Sequence, residues 1–309
     1  MKRTNGMSPT ILAGLGASQE TLPERLDCPT MSLPESKHPE SATLRFHPAG
    51  GVVTPEQWLA LGQAAREHGD GNVYLEQHSV IGLRGVANAQ VLGDVPLPTT
   101  AAHVLASPLS LRARQVAQRI AEALADVDQD APAIARAALF GVDSGAGDLL
   151  THGVAAGLQL SGDEAEHDED TATARLIRDG EPTGPLLGLA DAISQLVDFA
   201  EKVSADHLQD LERVSDAAGS APTSPALPIG WLTEHTKPGR VDLGAGLQDG
   251  VLPGEYAGLI AQLGVSISVT PWRGLVIHDL AEGDADVVLR VLAPRGFIFD
   301  ANSPALGHR

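Results

Sequence analysis

One pattern occurs twice in this chain, once near each end, and it narrows the possible folds more than any other feature. Thr43 to His47 (TLRFH) alternates like a strand and is broken by Pro48-Ala49-Gly50-Gly51. A helix is expected from Thr54, whose hydroxyl suits the N-cap, with Pro55 at the first helical position and Gln57 completing a capping box. Trp58, Leu61 and Ala65 share one face, Gly69 terminates it, and Val73 to Leu75 and Val80 to Leu83 follow as two strands. The order returns from Val241 to Leu243, a strand followed by the glycine-rich stretch Gly244 to Gly250. Pro253 then opens a helix whose apolar stripe is Tyr256, Leu259, Ile260 and Leu263, ended by Gly264. Val265 to Val269 and Leu275 to Ile277 are again two strands, joined through Thr270-Pro271-Trp272-Arg273. One βαββ unit buries too little apolar surface to stand alone, so two half domains are expected to pack together about an approximate twofold axis.

The region between the repeats has a different rhythm. Ser110 to Val127 is expected to be helical, with Val116, Ile120, Leu124 and Val127 on one face. Ala131 to Leu139 continues helical, Phe140 to Leu150 turns through DSGAGD, and Leu186 to Val214 is a long helical stretch. Pro222, Pro225 and Pro228 mark a linker. The class is therefore α/β (α+β), with an inserted helical-rich α/β domain carrying a few strands. The expected boundaries are a flexible tail at 1–27, half domains at 28–93 and 226–309, and a central domain at 98–220.

Charge and cysteine usage exclude several functions. Twenty-one basic against forty acidic side chains give a net charge of −19, which repels phosphate backbones and argues against nucleic-acid binding. No apolar run has the length of a membrane helix, and the expected location is the cytoplasm. A single cysteine, Cys28, permits neither an intramolecular disulfide nor an all-cysteine metal site. The acidic run Asp163 to Asp170 lacks the spacing and central glycine of a calcium loop and reads as a solvated loop. Gly244, Gly246 and Gly250 follow a strand, but the next helix starts too late for a dinucleotide loop, so a turn is expected. Asp143 to Asp148 likewise reads as a turn rather than an anion-binding nest. Of the eleven histidines no two have the i, i+3 or i+4 spacing of a helical zinc site. That leaves His78, Arg84, His103 and Arg273, each at a predicted strand end or in a short connection, where ligand-binding groups concentrate.

Five segments in the right order carry a family resemblance. Cys28-Pro29, Tyr74 to Val86 (YLEQHSVIGLRGV), Val104 to Ser110 (VLASPLS), Phe140 to Asp148 (FGVDSGAGD) and Val269 to Val276 (VTPWRGLV) are similar to motifs of precorrin-3B synthase, a cobalamin-pathway branch of the nitrite/sulfite reductase superfamily. The resemblance implies two ferredoxin-like half domains that embrace a tetrapyrrole, and an oxidoreductase that hydroxylates precorrin-3A with dioxygen. It places His78, Arg84, His103, Ser107, Thr270 and Arg273 at tetrapyrrole-facing positions, with Arg84 and Arg273 at equivalent places in the two repeats and the two histidines as weaker, pH-dependent contributors. It assigns no catalytic residue. The sequence departs from the family at His78, which stands for an arginine, at Glu76 for a threonine, and at Val80 and Gly82 for Asn and Gln. Phe297 to Arg309 resembles the lead-in to the family's first cysteine motif, so the expectation is a chain truncated before those motifs. The family's 4Fe-4S cluster is therefore expected to be absent here, and a companion chain to carry the cysteines. The alternatives to an enzyme are a protein that holds a tetrapyrrole without turnover and a remnant with no ligand.

Overall fold

A computed structural model describes residues 42–87, 93–98, 102–127, 138–162, 172–202, 227–233 and 236–306, all within one unit spanning 40–309. The first repeat contains β1 (Ala42–Phe46), a 3-10 turn at Ala49–Gly51, β2 (Val52–Val53), α1 (Pro55–His68), β3 (Asn72–Leu75) and β4 (Ile81–Val86). The central region contains β5 (His103–Ala106), α2 (Leu111–Val127), β6 (Leu139–Asp143), β7 (Ala156–Ser161), β8 (Thr173–Arg178), β9 (Glu181–Gly188) and α3 (Leu189–Lys202). After β10 (Gly230–Leu232) comes the second repeat: β11 (Arg240–Leu247), a 3-10 turn at Gln248–Gly250, β12 (Val251–Pro253), α4 (Gly254–Ala261), β13 (Ile267–Val269) and β14 (Gly274–Ala281). It ends with α5 (Glu282–Leu292) and β15 (Phe297–Ile298), which the sequence reading did not anticipate.

The capping box at α1 forms as its residues dictate. Gln57 N–H donates to Thr54 Oγ1 at 3.3 Å, and Thr54 N–H donates to Gln57 Oε1 at 2.8 Å. Trp58, Leu61 and Ala65 are fully buried on its inner face. α1 and α4 cross where both carry glycine: a Cβ on Gly62 would lie 2.5 Å from Gly254 O.

The duplication is confirmed by strand register. Leu44 pairs with Leu83 and Phe46 with Ile81 in the first repeat; Leu243 pairs with Ile277 and Ala245 with Leu275 in the second. Even the bulges correspond, between Ala42 and Leu44 and between Val241 and Leu243. The repeats also exchange strands. One sheet runs β1-β4-β3-β12 and the other β10-β11-β14-β13-β2, with β15 on β11. Each half domain thus completes its sheet with the short strand of the other, and a single core runs through both, from Phe46, Trp58 and Leu83 to Leu243, Ile260 and Ile277. This is the physical reason one repeat needs its partner.

The glycine-rich stretch of the second repeat is a correction. Gly244 to Leu247 continue β11 instead of forming a turn. Their glycines answer to packing: a Cβ on Gly244 would lie 1.9 Å from Pro228 O, and one on Gly246 2.2 Å from Leu306 Cδ2.

The central sheet runs β5-β6-β7-β8-β9, parallel as far as β7 and antiparallel beyond. α2 and α3 cover one face through Val116, Ile120, Leu124, Phe140, Leu158 and Leu196. The α/β class holds, but strand content exceeds the few strands expected. Leu139 belongs to β6 rather than to a helix, and Leu186 to Gly188 close β9 before α3 begins. β9 contains Pro182, Gly184 and Pro185, which a sheet tolerates at its edge, where β9 lies. The expected helix at 131–137, the continuation at 203–214, the acidic run at 163–170, the tail at 1–27 and Cys28 lie outside the described residues. Among the described residues no helix is long and apolar enough to cross a membrane.

Candidate functional site

The two hairpin tips of the repeats meet, and this junction builds the site. In the β3–β4 connection Glu76 N–H donates to Val80 O at 2.8 Å, while His78 and Ser79 take successive left-handed conformations with φ of 58° and 59°. In the β13–β14 connection Arg273 N–H donates to Thr270 O at 3.2 Å, and Arg273 is left-handed at φ 62°. Gln77 bridges to Trp272, and His78 N–H donates to Pro271 O at 3.2 Å. Two left-handed side chains from different repeats, His78 and Arg273, are thereby held beside each other. Non-glycine residues adopt this conformation at a cost, and such strain concentrates at functional sites.

Beside the junction lies a cleft of about 460 Å³. Arg45 from β1, Arg84 from β4 and Arg273 line it together with Glu76, Asp249, His78 and Tyr74. Arg45 Nε lies 2.8 Å from Glu76 Oε2, and Arg84 Nη2 lies 3.5 Å from Glu76 Oε1. The Arg84 guanidinium also rests over the Tyr74 ring, 3.8 Å from its centroid, and Tyr74 Oη–H donates to Asp70 Oδ2 at 2.5 Å. That hydrogen bond pushes the Tyr74 phenol pKa up. Arg273 has no ion-pair partner among the described residues.

Under the cleft runs a file of histidines. His103 Nε2–H donates to His78 O at 2.6 Å, and the His103 ring stacks on His47 at 4.6 Å. His152 meets His78 edge-on at 6.0 Å and Trp272 at 4.9 Å. Burial lowers the His78 pKa, takes His103 down to about 3, and takes His152 down to about 4 with help from His78. At neutral pH His103 and His152 are uncharged, and the cations lining the cleft are its arginines, beside the acidic side chains of Glu76 and Asp249.

Of the sequence-derived candidates, His78, Arg84 and Arg273 line this one cleft. His103 sits beneath it. Ser107 and Thr270 are buried and hold turns: Ser107 Oγ–H donates to Asp148 Oδ1 at 2.5 Å and accepts from Ser144 N–H at 2.9 Å, and Thr270 Oγ1 accepts from Gly274 N–H at 3.0 Å. The DSGAGD segment is the expected turn, because Asp143 accepts from the N–H groups of Gly145, Gly147 and Leu149, leaving them satisfied. The equivalence of Arg84 and Arg273 is corrected. Leu83 pairs with Leu44 and Val73 as Ile277 pairs with Leu243 and Ile267, so Arg84 corresponds to His278 and Arg273 to Ser79, its left-handed counterpart. Sequence reasoning missed Arg45 and the bridging role of Glu76. The available signal was the charged Arg45 between Leu44 and Phe46 on a predicted strand, an outward position that only pairing with β4 brings to Gly82.

Among the described residues no group of three His, Cys, Asp or Glu side chains is placed to hold a metal ion. With one cysteine in the whole sequence, the donor set does not fit a four-cysteine iron–sulfur cluster.

The family model of the nitrite/sulfite reductase ferredoxin-like half domain matches residues 35–91, the stretch that contributes Arg45, Glu76, His78 and Arg84 to the cleft. Among solved structures, the NirA protein of Mycobacterium tuberculosis is similar in fold, with a TM-score of 0.59 at 19% identity, over 84% of this chain and 57% of that one. This chain therefore spans little more than half of that protein. No curated protein matches it.

Proposed function

We propose that this protein binds a tetrapyrrole of the precorrin or siroheme type, in the manner the precorrin-3B synthase resemblance implies, and orients it through the acidic groups on its rim. The observation that supports this reading is the convergence of Arg45, Arg84 and Arg273 on one cleft at the junction of the repeats. Guanidinium groups pair with carboxylates through charge-assisted, often bidentate hydrogen bonds, which fix orientation as well as supply affinity. The cleft volume suits the acid-bearing edge of a macrocycle, with the ring face turned outward. Tyr74, fixed by Asp70 and covered by Arg84, supplies a rigid aromatic floor. His103 and His152, held neutral by burial, add no charge to the site through neutral pH.

The chain's own residues bind and orient; among the described residues no group is placed to hold a metal redox centre. Oxidation of precorrin-3A would draw its redox centre from a companion chain. The second reading, a tetrapyrrole holder without turnover, is favoured by the single cysteine. A visible-absorption titration with uroporphyrin tests the proposal. Binding is expected in the isolated chain, and the Arg84→Ala/Arg273→Ala double variant should weaken it by roughly 10²–10⁴-fold. Unchanged affinity in that variant would exclude this cleft.

A further inference from the structure

Of the two carboxylates that line the cleft, Glu76 and Asp249, Glu76 is the one paired with its arginines. Glu76 directs one oxygen to Arg45 and the other to Arg84, at 2.8 Å and 3.5 Å, and so occupies the position a ligand carboxylate would take between them. The wall behind it is hollowed to admit it. Gly82 lies opposite Arg45 in the β1–β4 register, and a Cβ there would come within 3.0 Å of Glu76 Oε1. Arg84 stays in place without Glu76, because the Tyr74 ring holds it from the other side. Across the cleft Arg273 has no such internal partner.

We infer that Glu76 is an internal stand-in for one acidic group of the ligand, so that the cleft selects compounds bearing two or more acidic groups. One group meets Arg273 directly; a second displaces Glu76 from Arg45 and Arg84. A compound with a single acidic group gains only the Arg273 contact. Displacement is easy because the pairs are solvent-screened: the side chains of Arg45 and Arg84 are 55% and 50% exposed and that of Glu76 is 21% exposed. The released Glu76 carboxylate swings toward water, and the arginines exchange one carboxylate for another with no unpaired charge buried at any stage.

This inference rests on the cleft being the ligand site, and the test separates the two ideas. Affinities for uroporphyrin and for citrate, a small polycarboxylate with no ring, are measured for wild type, Glu76→Gln, Glu76→Thr and Arg45→Ala/Arg84→Ala with and without Glu76→Gln. The two Glu76 variants should bind both probes roughly 3–30-fold tighter. That gain should vanish in the Arg45→Ala/Arg84→Ala background, which a general effect of removing one negative charge would not do. If uroporphyrin binds but neither Glu76 variant tightens it, the stand-in role is wrong while the tetrapyrrole reading survives. If citrate shows the gain and uroporphyrin binds to no variant, the stand-in role holds and the tetrapyrrole reading falls. Absence of binding by either probe to every variant overturns both.

Discussion

Arg84 and His278 occupy the same register position in the two repeats, yet the Arg84 side chain is half exposed and His278 is buried. The pseudo-twofold axis alone would create two equivalent clefts. The second is plugged by the central region: Arg114 of α2 reaches across to donate to His278 Nε2 and to Ser268 Oγ, and also to Pro108 O. On the far side of the ring His278 Nδ1–H donates to Asp242 Oδ2 at 2.9 Å, which assigns the tautomer. Burial raises the Asp242 carboxyl, but the hydrogen bond from His278, the Asp279 N–H and the Arg114 charge outweigh it and hold it below its usual value. The position equivalent to the candidate cleft is therefore filled by Arg114 from the central region.

Removing the plug should cost stability. Arg114→Ala leaves Ser268 and His278 buried without their cationic partner, and a loss of about 2–4 kcal/mol is expected. Urea unfolding followed by far-UV circular dichroism measures it. A loss below about 1 kcal/mol would mean that the plug carries little of the packing between α2 and the second half domain.

The sequence revealed most where local chemistry and tertiary demand coincide. The capping box at Thr54 and the apolar stripe of α1 are local features, and both are present as read. Gly244 and Gly246 look like turn residues in sequence, but the backbone of Pro228 and the side chain of Leu306 are what require them, and neither is near in sequence. Site residues divided in the same way. His78, Arg84 and Arg273 stand at strand ends visible from the pattern, whereas Arg45 becomes a site residue only when β1 pairs with β4. Pairing register is a tertiary fact. It also decided that Arg84 corresponds to His278 and not to Arg273.

Asp148 should cost the native state stability as pH rises from about 4 to about 7. Burial pushes its carboxyl up to about 7, against the lowering effect of the Ser107 hydrogen bond and with Asp143 adding to the rise. The folded-state value exceeds the unfolded one, so the contribution of protonated Asp148 is complete below about pH 4, is lost as pH rises to about 7 at up to about 1.4 kcal/mol per unit, and does not change further above that. Asp148→Asn keeps an acceptor for Ser107 and removes the ionisation. It is expected to be more stable than wild type at pH 8 and to keep only a smaller part of that advantage at pH 5. Equal urea midpoints at pH 8 would show that Asp148 ionises without penalty.

The buried histidines act with the opposite sign. The folded pKa of His103 is depressed to about 3 by burial, so its contribution to stability is complete above its unfolded value near 6.5 and is lost as pH falls from there toward 3. His152, depressed to about 4, adds to the same loss over its own narrower range. Asp148 returns part of it between pH 7 and 4, but one carboxyl is set against two strongly shifted imidazoles. Wild-type stability should therefore decline between pH 6 and 5. His103→Gln, which can still donate to His78 O, should reduce the slope by about 1.4 kcal/mol per unit. A slope identical to wild type would place the acid sensitivity elsewhere.

The pseudo-twofold axis can be tested at two glycines where the repeats press against each other. Gly51 and Gly250 are left-handed, at φ 72° and 69°, and each presses its backbone against the opposite repeat. A Cβ on Gly51 would lie 2.2 Å from Val269 O, and a Cβ on Gly250 2.2 Å from Leu75 O. Those two carbonyls end equivalent strands, β13 and β3, just before the hairpin tips that form the cleft. Alanine at either position therefore combines a strained backbone with a clash against main chain, which cannot move aside as a flexible side chain would. Each substitution is expected to cost about 2–4 kcal/mol, and the two costs should be similar because the contacts are related by the axis. Since each clash pushes on one hairpin tip, uroporphyrin affinity should also fall in whatever fraction remains folded. Unfolding curves for Gly51→Ala and Gly250→Ala give the comparison; a tolerated alanine at one site beside a severe loss at the other would show that the two crossings are not energetically equivalent.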